Sequence, residues 1–238
     1  GPPMHTTSRH PLQRPAPGQG RQLLIDAAVR LSTRSRSLTT TGIRELAREA
    51  GLNPNTFYRH FTDMVDLAGS LIRDEVAVLR QPLRQLRREA ALAAERQLRE
   101  TSPAADPAML QRQRIDRVVD ETVRLCLDHA QAHPAPYLIG ARELHGPSPA
   151  IRRLIQEEMA GFADDLSEDV SLLKLLPADD AGLIRQVAEL VVRNMFHFTL
   201  DLLESPGERP AIEAQAGLLI KVLFAGISAL QREAAQPC

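Results

Sequence analysis

Five hydrogen-bonding residues crowd one short stretch of the chain. Asn55, Thr56, Tyr58, Arg59 and His60 surround Phe57, and Phe61 closes the run. On a helix, phenylalanines four apart share a face, so Phe57 and Phe61 anchor inward. Asn55, Thr56 and Arg59 then point outward, with Tyr58 and His60 on the flanks. The types suit nucleic acid. Arginine bonds guanine bidentately, asparagine does the same with adenine, and hydroxyl or imidazole groups hold phosphate oxygens. Alone, such a stretch also fits a small satellite core beneath a polar surface, so the elements that would position it decide the reading.

Those elements lie immediately before it. Ile43, Leu46, Ala47 and Ala50 fall at the spacing that lines one helical face. Thr40 or Thr41 can cap the start of that helix, and Glu45 lies where a negative charge meets the positive end of the helix dipole. Gly51 supplies the left-handed exit, and Leu52 plugs the corner. Asn53 caps a second helix whose first turn takes Pro54, where the missing N–H costs nothing. Helix, glycine turn and capped helix over Thr40–Phe61 form a helix-turn-helix.

Ala47, Ala50, Gly51 and the run Thr56-Phe57-Tyr58-Arg59-His60-Phe61 resemble the signature of the TetR family of bacterial transcriptional regulators. The match continues through Asp63, Asp66 and Leu67. Further segments resemble one branch, the repressors of unsaturated fatty-acid synthesis: Ile43–Ala50, Leu79-Arg80-Gln81 with Leu83-Arg84-Gln85, and Ala141-Arg142-Glu143 followed by Ile151–Ile155. The resemblance implies an all-α protein. A three-helix head joins through a long helix to a ligand-binding and dimerisation bundle. It implies a cytoplasmic homodimer on a palindromic double-stranded operator, with Thr41, Thr56, Tyr58 and His60 on phosphates. Arg44, Asn55 and Arg59 would face base edges. Thr62 stands where the family usually has Lys or Arg, which removes one expected phosphate contact and predicts a shallower salt dependence.

Composition agrees. The 238 residues are 43% hydrophobic and 3% aromatic, which suits a helical core. The net charge of −1 argues against generic nucleic-acid binding, but residues 1–65 hold nine arginines against four acids, a balance of +5. A basic head on an acidic body suits a protein that touches phosphates at one end. Residues 1–18 read as a disordered tail, with Gly1-Pro2-Pro3 ahead of Met4 as a tag remnant. Arg9, Arg14 and Arg21 permit a basic arm there. Residues 19–65 form the DNA-binding head and 66–238 the body. No run approaches the ~18 apolar residues of a membrane span. Cys126 and Cys238 show no ligand spacing, which points to a reducing compartment.

In the body, one helix is predicted from Met64 toward Arg99, capped by Asp63 and kinked at Pro82. Others follow at about 107–132, 136–145, 149–173, 178–204 and 210–235. In the family resembled, the last two pair with their copies across a dimer interface. Leu183, Val187, Leu190, Val191, Asn194, Met195, Phe198 and Leu202 make one apolar stripe, and Leu219, Val222, Leu223, Gly226, Ile227 and Leu230 the other. Part of each must be ordinary core. Gly217 and Gly226 fit a close helix approach.

The family role also implies a pocket, for which Arg142, His145, Asn194 and His197 are the candidate ligand-binding residues, with His129 and Tyr137 as further polar groups. In the fatty-acid branch the signal is a long-chain acyl-CoA, which wants an apolar tunnel and a cationic mouth that Arg142, Arg152 and Arg153 could supply. His129 and His133 have metal-clamp spacing but no third ligand nearby. Asp164, Asp165, Glu168 and Asp169 read as a solvated acidic face. No Gly-rich phosphate loop, nucleophile elbow or zinc-finger spacing occurs, so neither an enzyme nor a cofactor is expected. The alternatives are a regulator of another small hydrophobic ligand, or a helical acyl-binding adaptor without operator binding.

Overall fold

The computed structural model describes residues 15–33, 37–177 and 180–236. Arg9, Arg14 and Cys238, and most of the tail read at 1–18, lie outside them. Among the described residues ten α-helices follow one another: α1 (Gln19–Thr33), α2 (Ile43–Glu49), α3 (Pro54–His60), α4 (Met64–Glu75), α5 (Arg80–Thr101), α6 (Pro107–Ala132), α7 (Pro134–Glu143), α8 (Pro149–Leu172), α9 (Ala181–Glu204) and α10 (Arg209–Ala235). No strand occurs among the described residues.

The helix starts follow one local recipe. Asn53, Asp63, Asp106, Ser148 and Asp180 each accept a backbone N–H of the first turn on their side chain. Proline occupies the first positions of α3, α6, α7 and α8, where it fixes φ and loses no intrahelical bond. Gly51 takes φ of 70° between α2 and α3, a region that costs most other residues steric strain.

Two local expectations change. Neither Thr40 nor Thr41 caps α2. Gly42 holds that position, and Thr41 instead ends a 3-10 turn over Leu38–Thr40, its hydroxyl directed at the Ser37 carbonyl (3.3 Å). Nor does a single kinked helix connect head and body. The chain breaks at Val76 through a 3-10 turn, Ala77–Leu79, and α5 starts afresh at Arg80. Pro82 therefore sits in the first turn of α5, where its missing donor has no partner to lose.

The core divides in two. The head core joins α1–α4 around Leu24, Leu46, Phe57, Leu67 and Leu71, and Ile139 of α7 with Ile151 and Ile155 of α8 complete it. The body core is formed by α5, α6, α8, α9 and α10. Between α5 and α8 runs a ladder of ion pairs. Arg80 grips Asp165 with two bonds (2.7 and 2.9 Å), Arg84 meets Asp169 at 3.2 Å and Glu168 at 2.8 Å, and Arg87 meets Asp169 at 2.7 Å. Asp165 and Asp169 are buried, so the acidic cluster is only in part the solvated face its composition suggests. Arginines at positions 80, 84 and 87 share a face of α5 and cover it.

The two apolar stripes divide as well. Val187, Val191, Met195, Leu202 and Ile227 enter the body core. Leu190 of α9 and Val222 and Leu230 of α10 stay exposed, as does Leu218 beside the second stripe. Gly217 is buried, and a Cβ there would meet Asp120 Oδ1 at 3.4 Å, whereas Gly226 faces open space. One segment, Pro206–Ala235, is long and apolar enough to cross a bilayer by length and composition, with a third of its most apolar window buried. No unbroken run of large apolar residues marks this segment, because alanine, glycine and polar residues interrupt it.

Candidate nucleic-acid interface and ligand cavity

Phe57 and Phe61 are buried, their ring centroids 5.7 Å apart, and Phe57 meets the Tyr58 ring edge-on at 5.5 Å. This anchor fixes which side of α3 faces out. Tyr58 is 61% exposed, and Asn55, Arg59 and Arg44 of α2 are exposed with it. Thr56 and His60 are half-buried. Four of the seven DNA-contact candidates, Arg44, Asn55, Tyr58 and Arg59, are thus exposed on the α2–α3 pair. Thr41 is 4% exposed, because the turn before α2 tucks it inward.

Two supports were not legible in the sequence. Arg21 of α1 lies 5.8 Å from the Phe61 ring centroid and bonds Asp74 of α4 at 2.9 Å, clamping the end of α3 between two helices. A Cβ on Gly20 would come within 2.9 Å of His60 Nε2, so the missing side chain makes room for the imidazole at the head of α1.

The head is also held from the body. Glu143, the last residue of α7, is 0% exposed, and its carboxylate accepts bonds from the Leu38 N–H at 2.5 Å and the Ser37 hydroxyl at 3.0 Å. The turn that leads into α2 is therefore fastened to α7. A buried carboxylate stays only where donors satisfy it, and here both belong to the head.

The neighbouring stripe of α7 does something else. Pro136, Tyr137 and Gly140 form part of the wall of a cavity of about 160 Å³ between α4–α9 and α10. The wall is overwhelmingly apolar, with Val118, Val119, Phe162, Val191 and Phe196 among its members. For scale, a dry cavity of roughly 150 Å³ accommodates benzene. Tyr137 bonds His129 at 2.7 Å. Burial and the nearby His133 hold the His129 imidazole below its ordinary pKa, opposed by a bond to the Glu75 backbone at the end of α4. Burial raises the Tyr137 hydroxyl and pushes the Cys126 thiol up to about 11, so both stay protonated at neutral pH.

None of the four ligand candidates lines this cavity. Arg142, His145 and His197 are exposed, and Asn194 donates to the Leu190 carbonyl of its own helix at 2.8 Å. Arg153 is exposed, and Arg152 donates to the Gly146 carbonyl. The wall's polar members are instead Arg87, Thr122, Tyr137, Glu158 and Thr199, with the Cys126 thiol. Arg142 and His145, three residues apart, lie on one face at the end of α7. That face turns to solvent, because the adjoining faces of α7 are taken by the head and the cavity. The rings of His129 and His133 lie 4.9 Å apart, and no group of three or more candidate metal ligands occurs among the described residues.

Residues 24–71 match the family of bacterial regulatory proteins of the tetR type. A protein of Haemophilus influenzae described as an uncharacterised HTH-type transcriptional regulator is 29% identical over 210 residues, 87% of this chain and 89% of its own length. Among solved structures, the fatty acid degradation regulator FadR of Bacillus halodurans superposes with a TM-score of 0.61 at 15% identity, over 90% of this chain and 98% of its own. A transcriptional regulator from Rhodococcus sp. Rha1 gives 0.56 at 16% identity, over 89% and 97%. These relatives are regulators of transcription rather than enzymes, and at such identities the two structures speak for the shared fold.

Proposed function

We propose that this chain is a TetR-family transcriptional regulator and a ligand-responsive repressor. It acts as a homodimer that presents two copies of α3 to successive major grooves of a palindromic operator. The observation that carries the reading is the α3 surface. A capped helix on a two-phenylalanine anchor turns Asn55, Tyr58 and Arg59 outward. Arg59, Asn55 and Arg44 supply base-edge chemistry, and Thr56, Tyr58 and His60 hold phosphates. Thr41 takes no phosphate in this reading and serves the turn instead.

The exposed apolar residues of α9 and α10 support self-association through the last two helices, since patches of this kind are rarely left bare. Two-fold symmetry then sets half-sites one or more helical turns apart. The ligand is a small hydrophobic molecule in the cavity. Long-chain acyl-CoA, implied by the branch resemblance, finds apolar wall for its chain, but Arg142, Arg152 and Arg153 form no mouth to this cavity. Coupling runs through α7, whose adjoining stripes serve cavity and head: displacement of Tyr137 or Gly140 moves Glu143 and the turn before α2. Ligand thereby favours one spacing of the two heads.

The test is fluorescence anisotropy of a palindromic fragment from the protein's own promoter region, with wild type, Arg59→Ala and Tyr58→Phe, in the presence and absence of saturated and unsaturated acyl-CoA. A repressor loses operator affinity in the variants and keeps its ligand affinity. Unchanged DNA binding in both variants would refute the α3 assignment. Tight binding indifferent to every acyl-CoA would keep the repressor and discard that ligand.

A further inference from the structure

The cavity wall carries two polar atoms that its own neighbours leave unused. Glu158 Oε2 of α8 and Thr122 Oγ1 of α6 are both buried without a hydrogen-bond partner, and both residues face the cavity. Other polar groups on the wall are engaged. Arg87 bonds Asp169 at 2.7 Å, Tyr137 bonds His129 at 2.7 Å, and Thr199 bonds the Phe196 carbonyl at 2.6 Å. Arg80 exerts an attraction on Glu158 from nearby, but its guanidinium is spent on Asp165 in a two-bond grip.

Buried acceptors left unpaired carry a desolvation penalty, which a ligand donor at the same point removes. A second anion beside Glu158 meets the opposite situation, because Arg87, the cation among the described wall residues, is already paired with Asp169. We propose that the cavity receives an apolar ligand whose buried end carries a hydrogen-bond donor, an amine or a hydroxyl, bonded by Glu158 with Thr122 as a second contact. A ligand that buries a free carboxylate is disfavoured. The proposal rests on the cavity being the ligand site, and it narrows the chemistry of what enters.

Four probes on one carbon frame of the right size separate the possibilities: benzylamine, benzyl alcohol, benzoate and toluene. Each is titrated calorimetrically at pH 7 into the full chain, with the thermal midpoint as a second readout. Benzylamine and benzyl alcohol are expected to bind at least about tenfold more tightly than benzoate, the scale of one hydrogen bond to a buried charged group. Glu158→Gln should shrink the benzylamine-to-benzoate ratio by about tenfold, and Thr122→Val should weaken benzyl alcohol a few-fold. Benzoate binding as well as benzylamine would overturn the proposal in the wild type alone, whether or not a variant folds. Equal binding of all four probes, toluene included, would also overturn it while leaving the cavity as a ligand site. Binding of none would remove the ligand-site reading with it.

Discussion

The head and the cavity-bearing half of the body are packed to different ends. In the head, Phe57, Leu24, Leu46 and Leu67 are fully buried around one another, the turn is fixed by Gly51, and the start of α3 is capped by Asn53. In the body, helices are tied by the ion ladder between α5 and α8, and beside it a space of about 160 Å³ is left with two unpaired polar atoms on its wall. A close-packed region transmits displacement and keeps a surface rigid. A region with slack changes shape for a small molecule. The difference is what a protein needs if one half must hold a fixed pattern of donors and the other must yield.

Core truncation tests that contrast most harshly. Phe57→Ala should cost about 3–5 kcal/mol in a denaturant melt and abolish operator binding, because no neighbour can collapse into the space. A melt scarcely moved would mean that the head is looser than described. In the ladder, Asp169→Asn should cost roughly 3–5 kcal/mol by leaving Arg87 buried against an uncharged amide, and Arg87→Met with Asp169→Leu should recover much of it. The ladder also carries a pH dependence. The Arg80 hydrogen bonds hold the Asp165 carboxyl below its ordinary pKa. Its stabilisation is thus present above the unfolded value of about 4 and is lost as pH falls through the lower folded one. Arg80→Met should blunt the fall in thermal midpoint on the acid side while leaving the neutral-to-alkaline slope alone.

Smaller effects sharpen the comparison. Asn53→Ala removes the cap of α3 and should cost about 1 kcal/mol of stability, with a parallel loss of operator affinity. Arg59→Ala should cost operator affinity about 1–3 kcal/mol and stability less than about 0.5 kcal/mol, since the side chain is exposed. At the cavity wall, Thr122→Val should leave the melt unchanged or raise it, because it trades an unpaired buried hydroxyl for a methyl. A clear loss there would show that the hydroxyl has a partner in solution.

What the sequence displayed was local. Caps, prolines and glycines mark the ends of most helices, and the composition of α3 announces its outward face. What it concealed depends on residues far apart. Glu143 meets Ser37 across 106 positions, and Arg80 meets Asp165 across 85. No helical period pairs such residues, so the acids of α8 read as solvated, and polarity alone does not show that Arg142 and His145 turn away from the cavity. Pro82 by itself is a local signal. A proline that ends one helix can equally open the next, and only the break at Val76 distinguishes the two.

The fastening of the head to α7 and α8 has a consequence for anyone who would move this protein's parts. Ile139, Ile151 and Ile155 wall the head core, and Glu143 completes its leading turn. A chimera that grafts residues 15–75 onto a foreign sensor inherits a hydrophobic breach and two donors, the Leu38 N–H and the Ser37 hydroxyl, without the carboxylate that accepts from them here. The transplantable unit is discontinuous: the first four helices together with α7 and the first turns of α8, two pieces of chain that must travel as a set.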